Sequence, residues 1–205
     1  MKNSRFKLIL CDLGNVVVNF DHRIAVRRIR PYTPRTFDEI YQIFFDSPLT
    51  RGFEEGRITP QDFFIRLSQE LSLARLSFEE FTAIWNEIFF ENRGIVDVLR
   101  LLKQHYPLRL VSNINPLHYS YIAGKFPQEI SLFESVHLSY AVGHCKPHPE
   151  IYKQALRGTP ARPQEVLYTD DRADLIAEAQ KLGFETLLFK GVADFQEQLS
   201  SRKVL

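Results

Sequence analysis

The sequence predicts an α/β protein: a doubly wound, Rossmann-like parallel sheet with a small α-helical segment inserted after its first strand. Short, continuous apolar runs recur along the chain, as expected of parallel strands that are buried on both faces. Helical patterns separate most of these runs, and such alternation is typical of doubly wound sheets. One long segment, residues 21–92, shows helical patterns and almost no strand signal, which marks it as an insertion.

Five apolar runs are predicted to be strands. The first ends just before a Gly-Asn turn, and the second follows the break at Pro107. Each run is of the length expected for a strand in a buried parallel sheet. The predicted strands are Lys7–Cys11, Leu108–Val111, Ser135–Leu138, Glu165–Tyr168 and Thr186–Phe189.

Three segments that follow predicted strands are predicted to be helices. Apolar residues recur at helical spacing in Ile95–Gln104. Pro149 suits the first turn of a helix over Pro149–Leu156. Gly183 is suited to the C-cap of a helix over Ala173–Leu182.

The inserted segment is predicted to form a small helical bundle. Thr59 is suited to an N-cap, and Pro60 to the first helical position that follows it. The many aromatic residues of the segment are interpreted as core packing. We therefore predict an α/β core domain of residues 1–20 and 93–205, and a helical cap domain of residues 21–92.

The charge balance argues against a dedicated nucleic-acid-binding protein. The 205 residues include 26 basic and 25 acidic side chains, for a formal net charge of +1, whereas nucleic-acid-binding domains normally carry a basic patch or stripe. The sequence also lacks the run of about 18 apolar residues that predicts a membrane-spanning helix. We expect a cytoplasmic protein with neither nucleic acid nor membrane as its partner.

Polar side chains follow four of the predicted strands. In a doubly wound sheet, ligands bind beyond the carboxyl ends of the strands, so one shared site is the simplest explanation for these positions. The candidate residues are Asp12 after the first strand, Ser112 and Asn113 after the second, Lys146 after the third, and Asp170 and Asp171 after the fourth.

These residue types suit the transfer of a phosphoryl group. A carboxylate can attack phosphorus and divide hydrolysis into two easier steps. Hydroxyl, amide and ammonium groups can hold phosphate oxygens and stabilise the charge that spreads over the transferring group. Two further carboxylates can bind Mg²⁺, which prefers oxygen ligands.

The four motifs, in this order and at this wide spacing, resemble those of the haloacid dehalogenase (HAD) superfamily. The segment 10–17 resembles the nucleophile motif, 110–113 the Ser/Thr phosphate-binding motif, 143–147 the lysine motif, and 168–171 the acidic metal-binding motif. The helical insertion lies where many members carry an α-helical cap. The Asp-Leu-Gly-Asn and Ser-Asn forms look most like the bacterial α-D-glucose-1-phosphatase-like branch, which is related to the N-terminal phosphatase domain of epoxide hydrolases.

The resemblance implies a Mg²⁺-dependent phosphatase that hydrolyses a small phosphorylated metabolite, such as an anomeric sugar phosphate, through an aspartyl phosphate. It implies that Asp12 is both the nucleophile and a metal ligand, and that the main-chain carbonyl of Gly14 is a second metal ligand. Asp171 is then the direct acidic ligand, and Asp170 supports it or binds through water. The implied phosphate-binding residues are Ser112, Asn113 and Lys146, of which Lys146 is also catalytic.

Two positions depart from the pattern of the superfamily. Most of its phosphatases have an aspartate general acid and base two residues after the nucleophile, where this chain has Gly14. We therefore expect slow turnover and a preference for weakly basic leaving groups, unless Asp21 or His22 takes over the role. The second departure is Leu175, where Asp or Asn frequently supports the metal-binding loop.

Two other functions remain open at this point. A haloacid dehalogenase would use Asp12 to displace halide from carbon without Mg²⁺, although the Asp170-Asp171 pair argues against it because two carboxylates beside an anionic substrate need a cation. A catalytically impaired protein that binds a phosphate ligand is the second alternative. The retained Asp12 argues against that, since binding alone does not need a nucleophile.

Overall fold

The computed structural model describes residues 5–205, so the first four residues of the predicted core lie outside the described part of the chain. Within it, parallel strands form a five-stranded sheet in the order 5-4-1-6-7, and two short strands form an antiparallel pair. The strands are β1 (Leu8–Cys11), β2 (Val18–Phe20), β3 (Phe89–Glu91), β4 (Leu108–Ser112), β5 (Ser135–Leu138), β6 (Val166–Asp170) and β7 (Glu185–Leu188).

Helices cover both faces of the large sheet or form the insertion. In the described residues they are α1 (His22–Ile29), α2 (Phe37–Phe45), α3 (Pro48–Glu54), α4 (Pro60–Leu71), α5 (Phe78–Asn86), α6 (Ile95–Lys103), α7 (Pro116–Lys125), α8 (Pro127–Ile130), α9 (Ser139–Val142), α10 (Pro149–Leu156), α11 (Ala173–Lys181) and α12 (Val192–Ser201). Short 3₁₀ turns lie at Arg30–Tyr32 and Pro163–Glu165. None of the helices within residues 5–205 is long and apolar enough to cross a bilayer.

The central strand β1 shows why the sheet has this form. Its residues are fully buried, and successive side chains enter different clusters: Leu8 and Leu10 pack on one face of the sheet, Ile9 and Cys11 on the other. Such two-sided burial requires the continuous apolar run that the sequence shows. The prediction of a doubly wound parallel sheet is confirmed.

Strand β6 extends two residues beyond its predicted end. Asp170 pairs with Leu188 of β7, and its carbonyl oxygen accepts a hydrogen bond of 2.8 Å from the main-chain N–H of Phe189. The neighbouring strand therefore holds Asp170 in extended geometry despite its polar side chain. This extension places the Asp170 carboxylate at the carboxyl edge of the sheet.

The helical insertion follows the first strand of the sheet, as predicted, but a short pair of strands flanks it. Strands β2 and β3 run antiparallel, with Val18 opposite Glu91 and Phe20 opposite Phe89. The expectation of almost no strand within residues 21–92 was therefore wrong at β3. Strands of three residues carry too little alternation to be distinguished from a helix end by pattern alone.

Polar caps begin the inserted helices. The Thr59 side chain accepts a hydrogen bond from the Asp62 N–H, which confirms the predicted start of α4. Capping boxes at Thr36 and Ser77 begin α2 and α5 in the same way. Each cap satisfies N–H groups that the first turn leaves without a helical partner.

One closed network of hydrogen bonds joins the insertion to the sheet domain. Trp85 Nε1 donates to Asn115 Oδ1 at 3.5 Å, and Asn115 Nδ2 lies 3.0 Å from His118 Nδ1. His118 Nε2 completes the ring at 3.0 Å from the Trp85 carbonyl oxygen. The Trp85 and His118 rings also stack, with centroids 4.9 Å apart. Helix α5 is thereby fixed against the start of α7.

Candidate active site

The predicted site residues meet at the carboxyl edge of the parallel sheet. Asp12 directly follows β1, while Ser112 and Asp170 end β4 and β6, so the pairing of these strands brings the three residues together. Lys146 reaches the same place from the loop between α9 and α10. Asp170 is fully buried, and the other predicted residues line one cavity: Asp12, Gly14, Ser112, Asn113, Lys146 and Asp171.

Lys146 connects two of the carboxylates. Its Nζ lies 2.7 Å from Asp12 Oδ1 and 2.7 Å from Asp170 Oδ2, and all three side chains are buried. Burial alone would lower the pKa of Lys146, but the two carboxylates raise it above its usual range, so the lysine stays charged. Burial raises the pKa of Asp12 to about 7; Lys146 opposes that shift, and Asp170 adds to it.

Asp170 is held by several groups in addition to Lys146. The Tyr168 hydroxyl donates a hydrogen bond to Asp170 Oδ2, and the main-chain N–H of Arg172 donates to Oδ1 at 2.9 Å. Both carboxylate oxygens therefore already have protein donors. Asp170 fixes the position of Lys146 and of the loop that carries Asp171.

Asp171 points toward the cavity and is held by a residue that the site prediction did not include. Asn15 Nδ2 donates to Asp171 Oδ2 at 3.0 Å. Asn15 has a φ of 56°, in the left-handed region that asparagine tolerates better than most residues. Its place in a Gly-Asn turn was visible in the sequence, but its partner 156 residues away was not. Asn15 gives Asp171 the support that Leu175, a buried apolar side chain, does not offer.

The three carboxylates form a cluster that suits a divalent cation. Oxygens of Asp12, Asp170 and Asp171 lie within 4.8 Å of one another. Lys146 pairs with Asp12 and Asp170, while the side chain of Asp171 is hydrogen-bonded to the neutral amide of Asn15. Burial also raises the pKa of Asp171. Carboxylate oxygens are ligands that Mg²⁺ prefers.

Ser112 and Asn113 differ in how they are engaged. The Ser112 hydroxyl makes only a long hydrogen bond, 3.5 Å to the Asn113 carbonyl, among the residues described. The Asn113 amide holds the main chain of Lys146 from both sides: Oδ1 accepts from the Lys146 N–H at 2.6 Å, and Nδ2 donates to the Lys146 carbonyl at 3.0 Å. Asn113 therefore positions the lysine loop as well as lining the cavity.

The space beside Gly14 is filled by an aromatic ring. A Cβ atom built on Gly14 would lie 2.6 Å from Phe20 Cε1. Real Cβ atoms essentially never come so close, so any side chain at position 14 would have to displace the Phe20 ring. The glycine at position 14 is thus required by the local packing of Phe20.

A cavity of about 240 Å³ lies over the cluster, between the sheet and the inserted helices. Its far side is mainly aromatic, with a few polar groups from the insertion. The insertion and its flanking strands contribute Phe20, His22, Phe45, Thr50, Glu54, Trp85 and Phe89. Such a mainly apolar wall with few polar groups is typical of a small-molecule site.

Of the two residues considered as replacements for an acid at position 14, only His22 lines this cavity. Its ring stacks on Phe45 with centroids 3.6 Å apart, and burial lowers its pKa to about 4. His22 is therefore neutral near pH 7. The Asp21 carboxylate instead caps α1 and pairs with Arg23 at 2.9 Å, and these bonds lower its pKa. Asp21 lies outside the lining of the cavity.

With this sheet and this cluster, the chain belongs to the haloacid dehalogenase-like hydrolase family, whose profile matches residues 6–183. The resemblance drawn from the four motifs is confirmed at the level of the superfamily. The match extends from the start of β1 to the end of α11 and so includes the helical insertion and every predicted site residue.

Similar proteins and a similar crystal structure support this assignment. The chain is 29% identical over 200 residues to a D-ribitol-5-phosphate phosphatase from Bacteroides thetaiotaomicron, covering 95% of this chain and 97% of that protein. A crystal structure of a HAD family enzyme from the same species, in complex with magnesium and inorganic phosphate, is similar with a TM-score of 0.83 and 27% identity over 94% of this chain and 98% of that chain. A glyceraldehyde 3-phosphate phosphatase from Pyrococcus furiosus is 32% identical over 95 residues, 45% of this chain and 39% of that protein.

Proposed function

We propose that the protein is a Mg²⁺-dependent phosphatase that hydrolyses a small phosphorylated sugar or polyol through an aspartyl phosphate on Asp12. The observation that carries the proposal is the cluster of Asp12, Asp170 and Asp171 around Lys146, open to a cavity of small-molecule size. The phosphatase names of two relatives support it.

The side chains of the cluster divide the work of phosphoryl transfer. Asp12 attacks phosphorus, and its carboxylate oxygen forms the new bond while the bond to the leaving oxygen breaks. Lys146 neutralises charge on the transferring phosphoryl group and holds Asp12 in position. The Ser112 hydroxyl and the Asn113 residue border the phosphate. Water then hydrolyses the aspartyl phosphate and restores Asp12.

The carboxylate cluster described above fits Mg²⁺. The proposed ligands are one carboxylate oxygen of Asp12, one of Asp171 and the main-chain carbonyl oxygen of Gly14. Asp170 acts behind them, by holding Lys146 and the Asp171 loop. When bound, the ion offsets the repulsion between the Asp12 carboxylate and an anionic phosphate. Crystallisation of the Bacteroides enzyme with magnesium and phosphate supports this choice of metal.

The cavity supports a small substrate. A volume of about 240 Å³ suits a phosphate group with a short carbon chain or a single sugar ring. Ribitol 5-phosphate, the substrate in the name of the Bacteroides relative, belongs to this class. An anomeric sugar phosphate belongs to this class too.

We propose that residues 21–92 act as the cap that selects the substrate, and that residues 1–20 and 93–205 act as the catalytic core. Core residues such as Ser112 and Lys146 recognise the phosphate group that every substrate of this class shares. Discrimination therefore requires groups beyond the phosphate. Helices α1 to α5 supply the aromatic wall on that side of the cavity.

The proposal is tested with a set of phosphorylated sugars and polyols, by measuring phosphate release with Mg²⁺ and with excess chelator. Asp12→Asn serves as the blank and Asp97→Asn, an exposed change on α6, as the matched control. We expect metal-dependent release by the wild type and by Asp97→Asn only. Substantial turnover by folded Asp12→Asn protein would remove Asp12 from the mechanism, and full activity in chelator, with halide release from 2-haloacids, would favour dehalogenation instead.

A further inference from the structure

Glu54, the last residue of α3, has a carboxyl group to which the site described above assigns no role. It lines the same cavity as Asp12, Lys146 and Asp171. Within residues 5–205 no hydrogen bond is found for its side chain, and no cation lies within ion-pair distance. It is nevertheless only partly exposed. A carboxyl group in such surroundings normally has a partner.

The neighbouring residue, Glu55, shows that arginine side chains lie close to this end of α3. Glu55 is buried and pairs with Arg51, at 3.3 Å, and with Arg57. Two adjacent glutamates of one helix end are thus used differently. Glu55 is a structural ion-pair partner, whereas Glu54 faces the cavity.

Glu54 lies near two core loops that carry site residues. Its charge acts on Arg172, which follows Asp171, and on Cys145, which precedes Lys146. The chain just beyond α3 packs closely on the core, because a side chain at Gly56 would collide with the carbonyl oxygen of Tyr140 in α9. The insertion therefore presents Glu54 to the site next to a close contact with the core.

The surroundings of Glu54 also set its protonation state. Burial raises the pKa of Glu54 to about 7, Arg172 and Arg51 oppose that shift, and Glu55 adds to it. Near neutral pH both the acid and its conjugate base are populated, which is the condition under which proton transfer in each direction is efficient.

We propose that Glu54 is the general acid and base of this hydrolase, in place of the carboxyl group that position 14 lacks. The inference rests on the proposed phosphatase function. As Asp12 forms its bond to phosphorus, the Glu54 carboxyl donates its proton to the bridging oxygen, and the P–O bond breaks to release an alcohol. The Glu54 carboxylate then accepts a proton from the water that attacks the aspartyl phosphate, so that orthophosphate leaves, Asp12 is restored and Glu54 is again an acid.

The test compares kcat/KM for phosphate esters with leaving groups of graded pKa, from 4-nitrophenyl phosphate to a primary alkyl phosphate, at saturating Mg²⁺. The variants are Glu54→Gln, which keeps the shape but not the titrating proton, and Glu54→Asp, which keeps the acid. Glu55→Gln on the same helix end is the matched control, and thermal unfolding checks that each variant is folded.

We expect a shallow dependence on leaving-group pKa in the wild type and in Glu55→Gln, and a steep one in Glu54→Gln. The loss for the alkyl phosphate should be about 10²–10⁴-fold, the usual contribution of general acid–base catalysis, and less than about tenfold for 4-nitrophenyl phosphate. Partial recovery in Glu54→Asp would support the assignment. An active wild type whose slope is unchanged in Glu54→Gln, or a uniform loss across the series, would overturn it. A wild type that hydrolyses no phosphate ester would overturn the proposed function itself.

Discussion

The ring of Phe20 occupies the space that a side chain on Gly14 would need, with only 2.6 Å between Phe20 Cε1 and a Cβ built on Gly14. The glycine and the phenylalanine therefore act as a pair. Restoring the acidic residue common in related phosphatases requires that the ring move.

Gly14→Asp should for this reason lower stability and fail to raise activity. Overpacking of this kind typically costs about 1–3 kcal/mol, measured as the change in the free energy of unfolding in urea. Gly124→Ala is the matched control, because nothing lies within 4 Å of a Cβ at that position in α7, and the change should stabilise by about 0.5–1 kcal/mol. A Gly14→Asp protein as stable as the wild type would contradict the packing argument.

Lys146→Met should destabilise the protein strongly, because it leaves the buried Asp12 and Asp170 carboxylates without their shared cation. Removing one partner of a buried ion pair costs about 3–5 kcal/mol. Loss of the lysine also raises the pKa of Asp12 further above its unfolded value, so the native state binds more protons and stability should recover as the pH falls from 8 to 6. Denaturant unfolding at several pH values measures both effects.

Combining Lys146→Met with Asp170→Asn gives the control for this prediction. The double variant should lose less stability than the sum of the two single changes, since the charge left unpaired by one is removed by the other. Additive losses would mean that the two residues do not interact through the ion pair.

His118 should make the protein sensitive to mild acid. Burial lowers the pKa of His118 to about 3, so the unfolded chain binds a proton near pH 6.5 that the native state does not accept. This contribution to stability is present above pH 6.5 and is lost as the pH falls toward 3, at about 1.4 kcal/mol per unit. The difference between the wild type and His118→Gln, measured by urea unfolding from pH 7 to 4.5, isolates it from other titrating groups.

The exposed His105, in the turn after α6, supplies the comparison. His105→Gln, which removes a histidine from the surface, is measured over the same pH range. If His118→Gln behaves like His105→Gln, then His118 does not remain neutral in the folded protein.

Phe45→Ala should change the ranking of substrates more than it changes the overall rate. The Phe45 ring lines the cavity and stacks on His22, so its removal widens the side of the site that faces away from the phosphate-binding groups. We expect larger substrates to gain in kcat/KM relative to small ones. Phe64→Ala is the control, because Phe64 packs within the insertion against Phe78 and Phe81 and does not line the cavity. Equal scaling of all substrates in Phe45→Ala would place specificity elsewhere.

The sheet and the residues at its carboxyl edge could be predicted because each depends on local pattern. Continuous apolar runs are a direct consequence of burial on two faces, and β5 (Ser135–Leu138) and α10 (Pro149–Leu156) have the predicted bounds. Asp12 and Asp171 could be placed together because parallel strands end at one edge.

Other features depend on contacts that no local pattern contains. Asn15 and Asp171 are 156 residues apart, and only the fold brings them to 3.0 Å. Glu54 stands among Glu55, Arg51 and Arg57, and such a run of charges indicates a solvated helix end. The role of Glu54 depends on which of the two adjacent carboxylates lines the cavity and which forms ion pairs. The sequence around His118 likewise gives no sign of its role, since its partner Trp85 lies in a different segment.

The pairing of β2 with β3 has a consequence for how such a protein can change over evolutionary time. The chain enters and leaves the helical insertion through hydrogen-bonded neighbours, with Phe20 opposite Phe89, so a recombination event needs to join ends only about 5 Å apart. A segment of different length can be inserted there while β2 and β3 keep their pairing. A replacement segment must supply hydrogen-bond partners for Asn115 and His118, whose polar groups are now bonded to Trp85. Insertions that can replace this one should therefore be recognised by a residue that forms hydrogen bonds with Asn115 and His118 at the start of α7.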